Sequence, residues 1–197
     1  MQKPKRLSAL RMLYLEPLEA VGAAMADRLR AEGVDGVHRV HHLSAVLQGL
    51  TREDPHLLML EMDQHDEDLI QIVRRLRRGR VGPDPFIGVL ACKSAVTSDD
   101  ARRFAAAGFD HILNKPHSAD AVLSHVLEIA GKPRRFVAVK GYVGPDRRRG
   151  LRDANQPGVM EVPNRLAVAL DGAAFDRERY AARVSSWKAM LARVDVV

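Results

Sequence analysis

The sequence predicts an α/β fold over about residues 7–130: a doubly wound sheet of five parallel strands with helices on both faces. Three observations point to it. Short apolar runs and stretches with apolar residues at 3.6-residue spacing alternate five times along this part of the chain. The connections between them are short, as in α/β units whose helices cross over between parallel strands. The run 56–62 is almost continuously apolar instead of alternating, the pattern of a strand covered on both faces.

The first strand lies within 8–15. Pro17 opens a helix in its first turn, where a missing N–H does no harm. That helix continues to about Glu32 with Val21, Ala24, Met25 and Leu29 on one face, and Gly33 suits its C′ position. Residues 34–40 make the second strand and 44–50 a short helix, ended by the turn Glu53-Asp54-Pro55. The third strand, 56–62, leads into a helix over 66–78. It turns Leu69, Ile72, Val73 and Leu76 inward and Arg74, Arg75, Arg77 and Arg78 outward. Gly82-Pro83 break the chain before a fourth strand at 86–91. Thr97 or Ser98 caps the next helix, Asp99 and Asp100 fall in its first turn, and Gly108 ends it. A fifth strand at 109–113, the turn Lys115-Pro116 and a helix from the Ser118 cap to about Ala130 complete the unit. In such sheets the functional site lies at the carboxyl ends of the strands, near the switch in strand order. That places Glu16, Glu61, Leu90-Ala91 and Lys115 together.

Beyond Gly131 the pattern changes. The chain divides into an α/β unit (1–131), a basic linker or extended arm (132–165) and a C-terminal helical segment (166–197). The arm is rich in Gly and Pro and has one candidate short strand, at 136–143. A helix over 174–194 carries the apolar stripe Tyr180, Val184, Trp187, Met190, Leu191 and Val194, which needs cover from the α/β unit, a second copy or a partner. Charge follows the same division. Residues 1–131 carry 17 Lys and Arg against 18 Asp and Glu, whereas 132–197 carry 14 against 7, so attraction to anions belongs to the tail.

The composition, 46% hydrophobic and 28% charged, is that of a globular chain. The single cysteine, Cys92, excludes an intrachain disulfide, argues against a cysteine-based metal site and fits a reducing, cytoplasmic location. No apolar run approaches membrane-spanning length. The one after Lys3, Lys5 and Arg6 is short and broken by Arg11, so neither a signal peptide nor a membrane partner is expected.

The run Ala107-Gly-Phe-Asp-His-Ile-Leu-Asn-Lys-Pro116, the segment 55–76 and the (βα)5 order together resemble the receiver (CheY-like) domain of bacterial response regulators, over about residues 7–130. The resemblance implies a flavodoxin-like sheet and a role in two-component, phosphorelay signal transduction. A receiver phosphorylates an aspartate at the end of strand three. It uses Mg²⁺ held by two acids after strand one, a Ser or Thr at the end of strand four and a lysine after strand five. The metal and the lysine neutralise charge on the transferring phosphoryl group. Matched to that pattern, the phospho-acceptor position holds Glu61, the acid pair Glu16 and Pro17, the hydroxyl position Leu90, the aromatic switch Ile112 and the lysine position Lys115.

The resemblance therefore implies a degenerate member, a pseudo-receiver, with no catalytic residue, no cofactor and weak or absent Mg²⁺ binding. Its partner would be a histidine kinase, a phosphotransfer protein or a second copy. Glu61, one methylene longer than aspartate, is expected to pair with Lys115 and hold one signalling state. The bland alternative is a vestigial pair contributing about 0–1 kcal/mol. Asp63 reads as a solvated loop acid.

Arg147, Arg148, Arg149 and Arg152 form a candidate anion site. Gly144-Pro-Asp-Arg-Arg-Arg149 resembles a tail found after receiver domains in some alphaproteobacterial regulators. The Arg148-x-x-x-Arg152 spacing is similar to the cyclic-dinucleotide motif of PilZ domains, whose following Asp/Asn-x-Ser-x-x-Gly element is missing here. The alternative function is thus nucleic-acid or cyclic-dinucleotide binding through this arm. No helix-turn-helix or interleaved aromatics support it, and a solvated arm stays open beside it. The eight histidines show no i, i+4 metal spacing with an acid partner, so no metal site is expected. Cys92 reads as a small core-edge residue. With no assignable nucleophile, base or phosphate loop, an enzyme is not expected.

Overall fold

The computed structural model describes residues 6–147 and 158–194. After a 3₁₀ turn at Leu7–Ala9, five βα units follow. They are β1 (Arg11–Leu15) and α1 (Glu19–Ala31), β2 (Gly36–Val40) and α2 (Leu43–Arg52), β3 (Leu57–Glu61) and α3 (Asp66–Arg77), β4 (Gly88–Ser94) and α4 (Ser98–Ala107), and β5 (His111–Lys115) and α5 (Ala119–Ala130). The strands form one parallel sheet in the order β2-β1-β3-β4-β5. The expected doubly wound α/β architecture is present.

Side chains alternate across the sheet with the strand period of two. Met12, Tyr14, Leu57, Met59, Leu90 and Cys92 face α1 and α5. Leu13, Leu15, Leu58, Leu60, Val89 and Ala91 face α2, α3 and α4. The caps are largely those the sequence predicts. Thr97 and Asp100 form a reciprocal capping box on α4, and Ser118 accepts the Ala121 N–H at the start of α5. Gly33, at φ 93°, turns the chain after α1. Pro17 lies two residues before α1 instead of inside its first turn, and Glu16 Oε1 accepts the Leu18 N–H at 3.0 Å in that loop.

Two strands end later than expected. β4 reaches Ser94 and β5 reaches Lys115. An apolar run marks only the buried part of a strand; the polar carboxyl ends still pair with their neighbours, Ser94 opposite Lys115.

Arg77 corrects another expectation. It is fully buried, not solvent-facing. It lies four residues after Val73 and so shares the inward face of α3. Its guanidinium donates to the carbonyls of Gly108, Pro85 and Ile87 at 2.8–2.9 Å and to Asp110 Oδ2 at 3.0 Å. Gly108 makes room for it. At φ 96° that residue has left-handed backbone, and a Cβ there would lie 2.9 Å from Arg77 Cγ.

The segment expected to be an extended basic arm contains three strands. β6 (Arg134–Val139), β7 (Tyr142–Pro145) and β8 (Val159–Val162) form an antiparallel sheet in the order β7-β6-β8. The glycines that read as linker composition serve as turn residues: Gly141, at φ 85°, closes the β6–β7 hairpin. Phe136, Ala138, Val143, Met160 and Val162 make a third core with Phe86. Two helices end the chain. α6 (Arg165–Asp171), which has no counterpart in the sequence reading, buries Leu166 and Leu170 beside α5. α7 (Arg177–Val194) lays Tyr180, Trp187 and Leu191 on the third core, so the α7 stripe is covered within the chain.

Candidate functional site

The crevice at the switch in strand order opens between the carboxyl ends of β1 and β3, where Leu15 pairs with Leu60. The next residues, Glu16 and Glu61, are only 1% and 4% exposed. Lys115, last in β5, reaches across to both. Its ammonium contacts Glu61 Oε2 and lies 3.4 Å from Glu16 Oε2 and 3.9 Å from Asp63 Oδ2. Among the described residues, three carboxylates therefore surround one cation. The three pocket residues singled out by the sequence do converge.

Each carboxylate is held a second time. Glu16 Oε1 accepts the Leu18 N–H at 3.0 Å, and Glu61 Oε1 accepts the Asp63 N–H at 2.8 Å. Asp63 is no free loop acid. Its two oxygens accept the backbone N–H and the hydroxyl of Ser94, both at 2.9 Å. Ser94, the last residue of β4, brings a hydroxyl to this end of the sheet, whereas Leu90 is fully buried in the core behind α1 and α5. Lys93 carries the periphery of the pocket, with Nζ 2.6 Å from Asp66. Ile112 packs on the core facing α2–α4.

Ser94 is the pocket residue that sequence reasoning missed; Asp63, a loop acid in the sequence reading, lies just past β3 with its side chain partly exposed. Burial pushes the thiol of Cys92 and the phenol of Tyr14 up, so neither offers an ionised nucleophile beneath the pocket.

The basic arm does not join this site. Arg147 lies beyond β7, around a cavity of about 220 Å³ that Lys132, Arg134 and Arg135 also line. Arg148, Arg149 and Arg152 lie outside the described residues. A larger cavity, about 640 Å³, lies between the amino edge of the parallel sheet and α6 and α7. Most of its charges pair among themselves: Arg165 binds Asp54 and Asp84 at 2.8 and 2.7 Å, and Tyr180 donates to Asp84 at 2.7 Å. These contacts make it a structural joint. Among the described residues, no helix is long and apolar enough to cross a membrane.

No family model matches the chain, and neither does any curated protein. Solved structures do. A response regulator from Thermotoga maritima matches 62% of this chain and 99% of its own, with TM-score 0.54 and 19% identity. The signal receiver domain of a DNA-binding response regulator from Colwellia psychrerythraea 34H matches the same shares, with TM-score 0.55 and 17% identity. A response regulator from Burkholderia pseudomallei, whose structure carries a phosphorylated aspartic acid and a calcium ion, matches with TM-score 0.52 and 16% identity over 59% of this chain and 65% of that one. The chain therefore has the flavodoxin-like fold of CheY-like receiver domains, with an antiparallel sheet and two helices added at its C-terminal side.

Proposed function

We propose that this chain is a response-regulator-like module of two-component-type signalling that acts by protein contact, with its pocket held in one state by the Glu61–Lys115 ion pair and without aspartyl phosphorylation. The observation that carries the reading is the occupancy of the pocket by its own side chains. Glu61 stands where a receiver has its acceptor aspartate and engages the lysine that would otherwise receive the phosphoryl oxygens. Pro17 stands where the second metal-binding acid would be.

Mg²⁺ does not fit this donor set. It demands several free oxygens in octahedral array. Each carboxylate of the pocket already spends its oxygens on Lys115, on backbone N–H groups or on Ser94. The site is less stripped than the sequence suggests, because Ser94 brings a hydroxyl, but that hydroxyl is bound to Asp63. The partner class that fits the fold is a histidine kinase, a phosphotransfer protein or a second copy of the chain.

The test is incubation with a small phosphodonor and Mg²⁺ followed by intact mass. No stable phosphate adduct is expected. A phosphate that is gained by the wild-type chain and lost in Glu61→Gln or Asp63→Asn would overturn the reading.

A further inference from the structure

Between β5 and α5 three side chains meet that take no part in the pocket. His111 opens β5, and His125 and Glu128 sit three residues apart on one face of α5. The two imidazole rings lie 4.7 Å apart. One nitrogen of each ring and one carboxylate oxygen all fall within 4.8 Å of one another. His111 Nε2 and His125 Nδ1 both face the same atom, Glu128 Oε2, at 3.7 and 3.6 Å. These distances are too long for hydrogen bonds. His125 Nδ1 is buried and makes no hydrogen bond among the described residues.

The spacing suits an ion. A tetrahedral metal bound at about 2.0–2.1 Å holds its ligand atoms about 3.3–3.4 Å apart. The two nitrogen–oxygen gaps exceed that by a few tenths of an ångström, within reach of small ring rotations. We propose that His111, His125 and Glu128 form a site for a divalent transition-metal ion of the zinc class, tying the start of β5 to α5. Two imidazoles and a carboxylate suit Zn²⁺, Ni²⁺ or Co²⁺ better than Mg²⁺ or Ca²⁺, which prefer oxygen alone. The remaining coordination position faces solvent or a ligand from outside the trio.

One feature of the surroundings bears on the assignment. Glu128 Oε1 accepts from Lys132 Nζ at 2.5 Å, which leaves Oε2 for the ion. Lys132 also repels a cation placed there, so it tunes affinity downward.

The test uses the full, tag-free chain with Co²⁺ as the probe, followed by visible absorption, and Zn²⁺ as competitor. The expected result is saturable uptake of one equivalent with the absorption bands of a four- or five-coordinate site. His125→Ala and Glu128→Gln should each weaken binding by at least about tenfold. Lys132→Ala should strengthen it severalfold, a gain that a damaged fold would not produce. The His41→Ala/His42→Ala double variant should leave it unchanged. No saturable Co²⁺ uptake, uptake indifferent to His125→Ala and Glu128→Gln, or weaker binding in Lys132→Ala overturns the site. The pocket reading does not depend on the outcome.

Discussion

At the scale of single residues, burial decides what a charge does. Glu16 and Glu61 are nearly inaccessible and share one ammonium, whereas Lys115 keeps 23% of its side chain exposed. Removing the lysine strands two neighbouring carboxylates away from water. Breaking a buried pair costs about 3–5 kcal/mol, and the partial exposure of Lys115 discounts that to about 2–4 kcal/mol for Lys115→Ala. Chemical denaturation of Lys115→Ala, Glu61→Gln and the double variant checks it. The double variant should lose less than the sum of the singles. A loss under about 1 kcal/mol in Lys115→Ala would instead mark the pair as vestigial.

His56 gives a second test at the same scale. Its Nδ1 accepts the Arg11 N–H at 3.2 Å, and burial, then Arg11 and Arg165, lower its pKa to about 4. The unfolded chain takes up that proton at about pH 6.5, but the folded chain waits until about pH 4. Stability is thus fully present above pH 6.5 and falls as pH drops towards 4, by at most about 3 kcal/mol for this group. His111 and His117 are lowered for the same first reason, burial, and add to the slope. Denaturation midpoints between pH 7 and 4 should therefore fall steeply in the wild type and less steeply in His56→Gln.

At the scale of elements, α7 is held by one side chain above all. Trp187 is fully buried, packs edge-on against Phe86 and Phe136, and donates its indole N–H to the Arg77 carbonyl at 2.8 Å. Trp187→Ala should cost about 3–5 kcal/mol through the cavity it leaves. Trp187→Phe keeps most of the packing and should lose about 1–2 kcal/mol, chiefly the hydrogen bond. Thermal unfolding separates the two.

The α7 stripe was legible in the sequence because helical spacing is an internal property of the segment. What covers it was not, since Phe86 and Phe136 are distant in the chain. The five βα units were legible for the same reason: period and caps are local. The ends of β4 and β5 were not, because polar residues paired at a strand end look like loop. Ser94 was lost through that error, while Glu61 was found as the one charge in the run 56–62, Glu16 as the charge directly after strand one, and Lys115 in the Lys115-Pro116 turn matched to the receiver pattern. The β6–β8 sheet was hidden by its turn glycines, and Arg77 by being a charge on an apolar face.

At the scale of the whole molecule, the question is whether the tail is an appendage or part of the fold. The two cores that flank the parallel sheet are built almost wholly from residues before 131; among the described residues, Leu166, Leu170 and the partly buried Ala167 enter from the tail. The segment linking α3 to β4 depends on the tail far more. Phe86 is the α/β residue in the third core, Asp84 accepts Tyr180 and Arg165, and Arg134 joins Arg77 on Asp110. Burial alone would push the Asp110 carboxyl up. Arg134 and Arg77 together outweigh it and hold the carboxyl below the ordinary carboxylate value.

A chain cut after Gly131 keeps its two main cores, so it should fold. It also exposes Phe86, loses Arg134 from Asp110 and leaves Asp84 without Arg165 and Tyr180. The loss should be on the order of 3–5 kcal/mol. At about 2–4 °C per kcal/mol for a chain of this size, the melting temperature should fall by roughly 10 °C. The intact chain should melt in one transition, because the third core is shared across the cut. Calorimetry of the two chains decides it. Two transitions in the intact chain, with the upper one unmoved by the truncation, would mean that the tail is a separate body resting on the receiver-like unit.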